Sequence, residues 1–287
     1  MSFAALEESR QQATPANLFY FKWGVATEAF YAFTNADRSI TYAGVTYTPA
    51  PISTEDFQAS GTLDKQSLSL ELPRDNPIAV LLRGFPPSAT VALTIRQGHV
   101  ADPDVDWPIV WIGRLLGTSL EGSVCKLGCE PITTSLKRVG LRRLWLRQCG
   151  VQLYGPQCQA SLAAASSNHI PDSFTTDTVT LPNGWTSPEN ALNYRGGVCK
   201  WSGAGGEEAR TIINVTGDRV LLLNGPTTGL SGGEAVTVAL GCSHVLTLSE
   251  GQLTGDCKTL HNNINNFDGA PWIPTENPVG LSNNLFY

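Results

Sequence analysis

Short segments in which apolar and polar residues alternate recur along most of this 287-residue chain, and they constrain its fold more than any other feature. In LSLELP, from Leu68 to Pro73, every second residue is a leucine and a proline ends the segment. Such a period of two places alternate side chains on one face of a β-strand. Many short strands separated by turn residues are typical of a sandwich or a barrel, and 28 Gly and 18 Pro suit that number of turns. The sequence therefore predicts a mainly β protein.

Three local signals refine this prediction. Ala43-Gly44 lies between ITY and VTYTP, and residues 215–218 lie between TIINV and RVLLL, so both segments predict tight hairpins. The apolar run PIAVLLRGF follows Asn76-Pro77 and predicts one or two helical turns. Helix is therefore expected to be a minor component of a β-rich region.

The pattern changes at Pro131, where apolar residues take a roughly helical spacing as far as Leu146. Alternation returns at Phe174, SLAAAS before it favours a short helix or turn, and little strand character is expected after Leu246. These changes predict four parts: an N-terminal β domain (1–130), a short helical connector with the first cysteine pair (131–168), a second small β module (169–245), and a loop with an extended C-terminal arm (246–287).

Composition narrows the class of function. Only 15% of residues are charged and the net charge is −6, which argues against a nucleic-acid-binding chain and fits a part covered by neighbouring proteins. The basic segment from Lys137 to Arg147 is interpreted as a solvated or subunit-contact face, with DNA in transit as the alternative. The sequence contains no run of eighteen apolar residues, so no membrane span is predicted. The first residues lack the pattern of a signal peptide. We therefore expect the chain to be made in a reducing cytoplasm.

The seven cysteines fall into two groups. Cys125, Cys129 and Cys199 lie in strand-like runs and are expected to be small core residues. In a reducing compartment the remaining cysteines are expected to be thiols or metal ligands rather than a disulfide framework.

The second group lies in turns and loops and comprises Cys149, Cys158, Cys242 and Cys257. Four thiolates at converging chain ends suit a tetrahedral zinc ion or an iron–sulfur cluster. His244 and His261 lie near and could replace one cysteine in a zinc site. The spacing is not a CxxC signature, so the residues alone leave free thiols, zinc and a cluster open.

Other chemistries have weaker signals. GAGGEE, at 203–208, is glycine-rich but lies between strands and is interpreted as a loop. Cys257 and His261 could form a nucleophile and base, but no third group orients them. We expect no enzymatic activity, with a soluble zinc- or cluster-dependent enzyme or redox carrier as the alternative.

Three motifs, in order along the chain, resemble a known family. They are YTPAPIS, then the run CEPITTSLKR to LRQCGVQLYGPQC, then GCSH followed by GDCKTLHNNINNFDGAPWIP. Together they resemble the distal-tail hub family of long-tailed phages and gene transfer agents, which includes minor tail proteins of the lambda L type. After Gly241-Cys242 this sequence has Ser243-His244, where the family commonly has an acidic and a basic residue. It has Asp268 where the family commonly has an Arg. Neither departure changes a cysteine.

The resemblance implies a structural protein of the virion, at the tail tip, assembled in the host cytoplasm. It implies a [4Fe-4S] cluster held by Cys149, Cys158, Cys242 and Cys257, and an N-terminal domain with the fold of the tail tube. It further implies a homotrimeric ring between the tail-tube protein above and a central hub or fibre protein below. DNA is expected to be at most a passing contact.

Overall fold

The structure is a computed structural model, in which two compact units can be described. It describes residues 6–9, 13–26, 29–55, 67–83, 85–100, 102, 104, 106–137, 140, 145–186, 190–203, 205–249 and 252–274. The first unit comprises Met1–Val139 with Gly203–Glu208, and the second comprises Gly140–Ser202 with Ala209–Tyr287. Both are built on β-sheets, which confirms the predicted fold class. The finer four-part division of the chain stays a prediction.

The first unit contains a nine-stranded sheet with the order β3-β4-β2-β1-β7-β8-β9-β6-β5. Its strands are β1 (Pro15–Lys22), β2 (Phe30–Thr34), β3 (Ile40–Tyr42), β4 (Val45–Pro49), β5 (Ser53–Thr54), β6 (Leu68–Pro73), β7 (Ala92–His99), β8 (Ile109–Glu121) and β9 (Val124–Pro131). Adjacent strands are antiparallel except β2 and β4, which pair in parallel.

The core of this unit follows from the alternation in the sequence. The three leucines of β6 are buried, and they lie beside β9, on which Cys125, Leu127 and Cys129 are buried in turn. These two cysteines are thus core residues, as predicted. Burying each such leucine contributes about 1.5–3 kcal/mol, so the period-two pattern also stabilises the contact between these strands.

Short-range signals in the first unit also form as predicted. Ala43 and Gly44 both have positive φ, 50° and 80°, which is the backbone of the hairpin turn that joins β3 to β4. Helix α1 (Pro77–Leu82) begins where the Asn76 side chain accepts a hydrogen bond from the Ile78 amide. A 3-10 helix, Ile132–Lys137, follows β9. Residues 138, 139 and 141–144 of the predicted connector, with most of its basic face, lie outside the described residues. Residues 145–165 form bends and turns rather than the predicted helix, because Gly and Pro at 150, 155 and 156 interrupt the run.

The second unit contains most of a seven-stranded sheet with the order β10-β16-β13-β14-β15-β12-β11, whose residues 203 and 206–208 are assigned to the first unit. Its strands are β10 (Ser166–His169), β11 (Ser173–Phe174), β12 (Thr178–Thr180), β13 (Val198–Gly203), β14 (Gly206–Thr216), β15 (Val220–Leu223) and β16 (Val236–Ala239). A 3-10 helix, Ala191–Tyr194, precedes β13. Gly217 and Asp218 have positive φ in the predicted turn between β14 and β15, and Cys199 is fully buried in the core.

One prediction about the second unit is wrong. We expected little strand character after Leu246, but β17 (Thr247–Ser249) and β18 (Gln252–Thr254) form an antiparallel hairpin. Each strand has only three residues, and the hydroxyl groups of Thr247 and Thr254 lie 3.0 Å apart across the pair. Each strand holds a single apolar residue, Leu248 opposite Leu253, which is too few for an alternating pattern to reveal.

The hairpin leads into two short helical turns near the end of the described chain. Helix α2 (Asp256–Thr259) follows Gly255, and a 3-10 helix, Ile264–Asn266, follows it. SLAAAS, at residues 161–166, is mostly a turn, and most of the predicted C-terminal arm, 275–287, lies outside the described residues. None of the described helices is long and apolar enough to span a bilayer.

Candidate metal centre

The four loop cysteines all belong to the second unit, on segments that precede and follow its sheet in the sequence. Cys149 and Cys158 lie in a series of turns before β10, Cys242 follows β16, and Cys257 lies in α2. Cys158 and Cys257 are buried, whereas Cys149 and Cys242 are partly exposed, and all four are free thiols. Sequence positions up to 108 residues apart (from 149 to 257) thus contribute to one region.

The thiols interact with one another electrostatically. The pKa of Cys257 is raised to about 11, first by burial and then by the neighbouring charges of Cys242, Cys149 and Cys158. The pKa of Cys242 is raised mainly by burial; a backbone hydrogen bond from His244 opposes this, and the charges of Asp256, Cys149 and Cys158 add to it. Cys242 and Cys257 therefore both lie within electrostatic range of Cys149 and Cys158.

This arrangement agrees with a cationic centre in the nature and number of its donors. Several thiolates in a poorly hydrated region are unfavourable alone, and a bound metal or cluster offsets that repulsion and deprotonates its ligands. No group of three or more ligand side chains in metal-binding geometry is found within the described ranges. The Cys257 thiol instead donates to the Asn263 carbonyl oxygen at 3.2 Å, a bond that only its protonated form can make.

A turn at Leu153-Tyr154-Gly155 anchors the first pair of cysteines to the second. Tyr154 has a φ of 60°, and its hydroxyl group donates to the Leu240 carbonyl oxygen at 2.5 Å. Burial, and then the charges of Cys242 and Cys158, raise the pKa of Tyr154, so the phenol stays protonated and remains a donor. The turn thereby fixes the backbone two residues before Cys242.

His261 contacts the carbonyl group of the next residue after Leu240, Gly241. Its Nε2 lies 2.8 Å from the Gly241 carbonyl oxygen, which can only accept, so Nε2 carries a proton. Its ring meets the Tyr154 ring edge-on at a centroid distance of 5.7 Å. With Nε2 engaged in this way and the Cys257 thiol bonded to Asn263, the geometry favours a supporting role for His261 over that of a base for Cys257.

The Gly-Cys segment is held by backbone contacts on both sides. The His244 amide donates to Cys242 Sγ at 3.4 Å, and the His244 carbonyl oxygen accepts from the Cys149 amide at 2.8 Å. A Cβ on Gly241 would lie 1.7 Å from the Arg195 carbonyl oxygen, so only glycine fits before Cys242. His244 thus connects two predicted ligands through its backbone.

The late motif NNFDGAP packs against the chain just before Cys149. The Ala270 amide donates to the Leu146 carbonyl oxygen at 2.7 Å, and a Cβ on Gly269 would lie 2.7 Å from the Arg147 carbonyl oxygen. The close approach of these two backbones explains the glycine, and it brings the segments with Cys149 and Cys257 together.

Sequence reasoning from spacing did not single out two residues of this frame, Asp256 and Asn263. Asp256 Oδ2 accepts from the Ser243 amide at 2.8 Å, and the Asn263 side-chain amide donates to the Cys158 carbonyl oxygen at 2.5 Å. The available signal was the dense Asn-rich run HNNINN directly after Cys257, since short amide side chains commonly serve backbone groups in loops.

Thiol labelling should separate the two groups of cysteines. In native, metal-free protein, maleimide is expected to modify Cys149 and Cys242 first, because they are partly exposed. Cys129 and Cys199 should react only after unfolding, since burial raises the pKa of each to about 12 and keeps them as inaccessible thiols. Peptide mass spectrometry after timed labelling measures this, and equal rates for Cys199 and Cys149 would contradict the structure.

Comparison with known proteins gives two family matches. Residues 4–161 match the family described as "Baseplate hub protein, N-terminal attachment domain", and residues 192–277 match the family described as "Phage conserved hypothetical protein BR0599". The first match covers more than half of the chain. The second includes Cys242, Cys257 and the late motif.

Among solved structures, the chain is similar to one described as "Virion of native gene transfer agent (GTA) particle". The TM-score is 0.73 at 17% identity, over 96% of this chain and 93% of that one. At this identity the likeness shows a shared fold over nearly the whole length. No curated protein sequence matches the chain.

Proposed function

Because the chain belongs to the baseplate hub family with an N-terminal attachment domain, we propose that it joins the end of a long phage-type tail tube to the central tip. A member of this family is a structural component of the virion and associates with other tail proteins. The observation that carries the proposal is the family match over residues 4–161. The fold shared with a chain of a gene transfer agent particle supports it.

The proposed arrangement is a homotrimeric ring. Its partners are the distal tail-tube protein above and a central hub or fibre protein below, with DNA at most in transit. Weak surface charging supports such extensive contacts, because only 15% of the residues carry charge. The proposed role is scaffolding, without enzymatic activity.

Imaging of assembled tails tests this role. Electron microscopy of particles that carry a labelled chain is expected to show the label at the distal tail end, in three copies. Particles made without the chain should lack an ordered tip. Six copies would contradict the homotrimer but not the hub function. A label found along the tube, or absent from the particle, would overturn the hub function.

The proposal extends to a structural [4Fe-4S] cluster bound by Cys149, Cys158, Cys242 and Cys257, with zinc as the alternative occupant. Four thiols, their mutual electrostatic effects and the hydrogen-bonded frame around them support a soft-metal site. When bound, the group would supply covalent cross-links between loops. The residues around it supply position, through the bonds of Tyr154, His244 and Asn263.

Such a cross-link would act on the whole second sheet. The pair Cys149 and Cys158 precedes β10, and the pair Cys242 and Cys257 follows β16, so the two pairs enclose all seven strands. Joining the two ends of a segment restricts its unfolded state. This account favours a structural centre over the alternative of a soluble metal-dependent enzyme or redox carrier.

A further inference from the structure

One asparagine, Asn263, contacts a predicted ligand from each half of the site. Its Nδ2 donates to the Cys158 carbonyl oxygen at 2.5 Å and lies 3.6 Å from Cys158 Sγ. Its backbone amide donates to the Cys257 carbonyl oxygen at 2.7 Å, and its own carbonyl oxygen accepts from the Cys257 thiol. Asn263 thereby connects positions 105 residues apart in the sequence.

The orientation of this amide is determined by a second asparagine. Asn266 Nδ2 donates to Asn263 Oδ1 at 2.7 Å, so the oxygen of Asn263 faces Asn266 and its NH₂ group faces Cys158. Asn266 ends the 3-10 helix Ile264–Asn266, which holds it beside Asn263. Because Cys158 is only 8% exposed, the contact between this NH₂ group and the Cys158 sulfur is poorly screened by water.

We propose that Asn263 is a positioning residue of the metal centre, which fixes Cys158 and sets the stability and reduction potential of the bound cluster through its N–H···S hydrogen bond. This inference rests on the proposed function, since it requires that the site holds a cluster. Donors to ligand sulfurs stabilise negative charge, and a reduced cluster carries more of it. Loss of the donor is therefore expected to loosen the cluster and to lower its potential.

The test compares Asn263→Asp and Asn263→Leu with the wild-type protein, all prepared anaerobically. Aspartate keeps the shape and the acceptor but replaces the NH₂ donor by an anion, and leucine removes both polar functions. Each variant is expected to lose iron to a chelator about 10–100-fold faster, the usual cost of removing such a supporting partner. The potential, followed by absorption during a redox titration, should become more negative.

Asn265→Leu is the matched control, because Asn265 lies in the same 3-10 helix and its side chain is exposed. It is expected to release iron at the wild-type rate and to keep the wild-type potential. Asn266→Leu should shift both quantities in the direction of the Asn263 variants, by less. Asn266→Leu takes the place of the Asn263 variants in the test if those variants fail to fold.

The outcomes separate this inference from the proposed function. A wild-type protein without a cluster would defeat the proposed centre, whatever the variants do. A wild-type protein with a cluster, together with Asn263 variants of unchanged iron release and potential, would overturn the role of Asn263 alone. Equal losses in Asn265→Leu would overturn it as well, since the effect would then not depend on the bond to Cys158.

Discussion

Gly241→Ala is expected to disrupt the predicted metal centre although it changes none of the cysteines. Its added Cβ would lie 1.7 Å from the Arg195 carbonyl oxygen and 2.9 Å from the Gly197 amide, so the backbone that carries Cys242 must move. Both obstacles are backbone atoms, which cannot rotate away as a side chain can. We expect a loss of roughly 3 kcal/mol in stability, at the upper end of the cost of overpacking, and a loss of most of the bound metal.

Gly232→Ala is the control for this substitution. Gly232 is exposed, and a Cβ at this position meets no atom within 4 Å. Thermal unfolding and metal content of the two variants, prepared side by side, measure the effect. Wild-type metal content in Gly241→Ala would show that Cys242 does not require the close approach seen here.

Cys158→Ser is expected to remove the cross-link that encloses the second sheet. A serine oxygen is a poor substitute for a thiolate ligand, so the cluster should be lost. A closed loop of about 100 residues constrains the unfolded chain by on the order of 4 kcal/mol. For a unit of this size that corresponds to a fall of roughly 10 °C in the midpoint of thermal unfolding.

Cys199→Ala controls for the loss of a buried thiol in the same unit. Cys199 is fully buried in the sheet core, so its replacement costs packing but leaves the four loop cysteines intact. It should keep its metal and its response to a chelator. If Cys158→Ser and the wild type unfold at the same temperature with equal metal content, the cross-link has no role in stability.

The strands were predictable because their signal is local. Alternation from Leu68 to Leu72, and turn residues such as Gly217 and Asp218, determine a strand or hairpin within a few positions. The hairpin of β17 and β18 escaped prediction because its three-residue strands are joined through polar groups such as Thr247 and Thr254. With one apolar residue in each strand, such a pair is too short to show an alternating pattern.

The metal centre depends on contacts that no local pattern contains. Cys149 approaches Cys242 through the backbone of His244, and Cys158 approaches Cys257 through Asn263. These pairs are separated by the entire second sheet, so their proximity becomes apparent only once that sheet has folded. The position of the four cysteines in turns and loops suggested a soft-metal site, and the family resemblance alone specified an iron–sulfur cluster.

Metal analysis of the anaerobically purified protein tests the central claim most directly. The account predicts a coloured protein with about four iron and four sulfide ions per chain, as a [4Fe-4S] centre requires, and a colourless Cys149→Ser variant. A result of one zinc ion per chain, without iron, would contradict the cluster but not the four-cysteine metal site. A wild-type protein that binds neither iron nor zinc would contradict the metal centre itself.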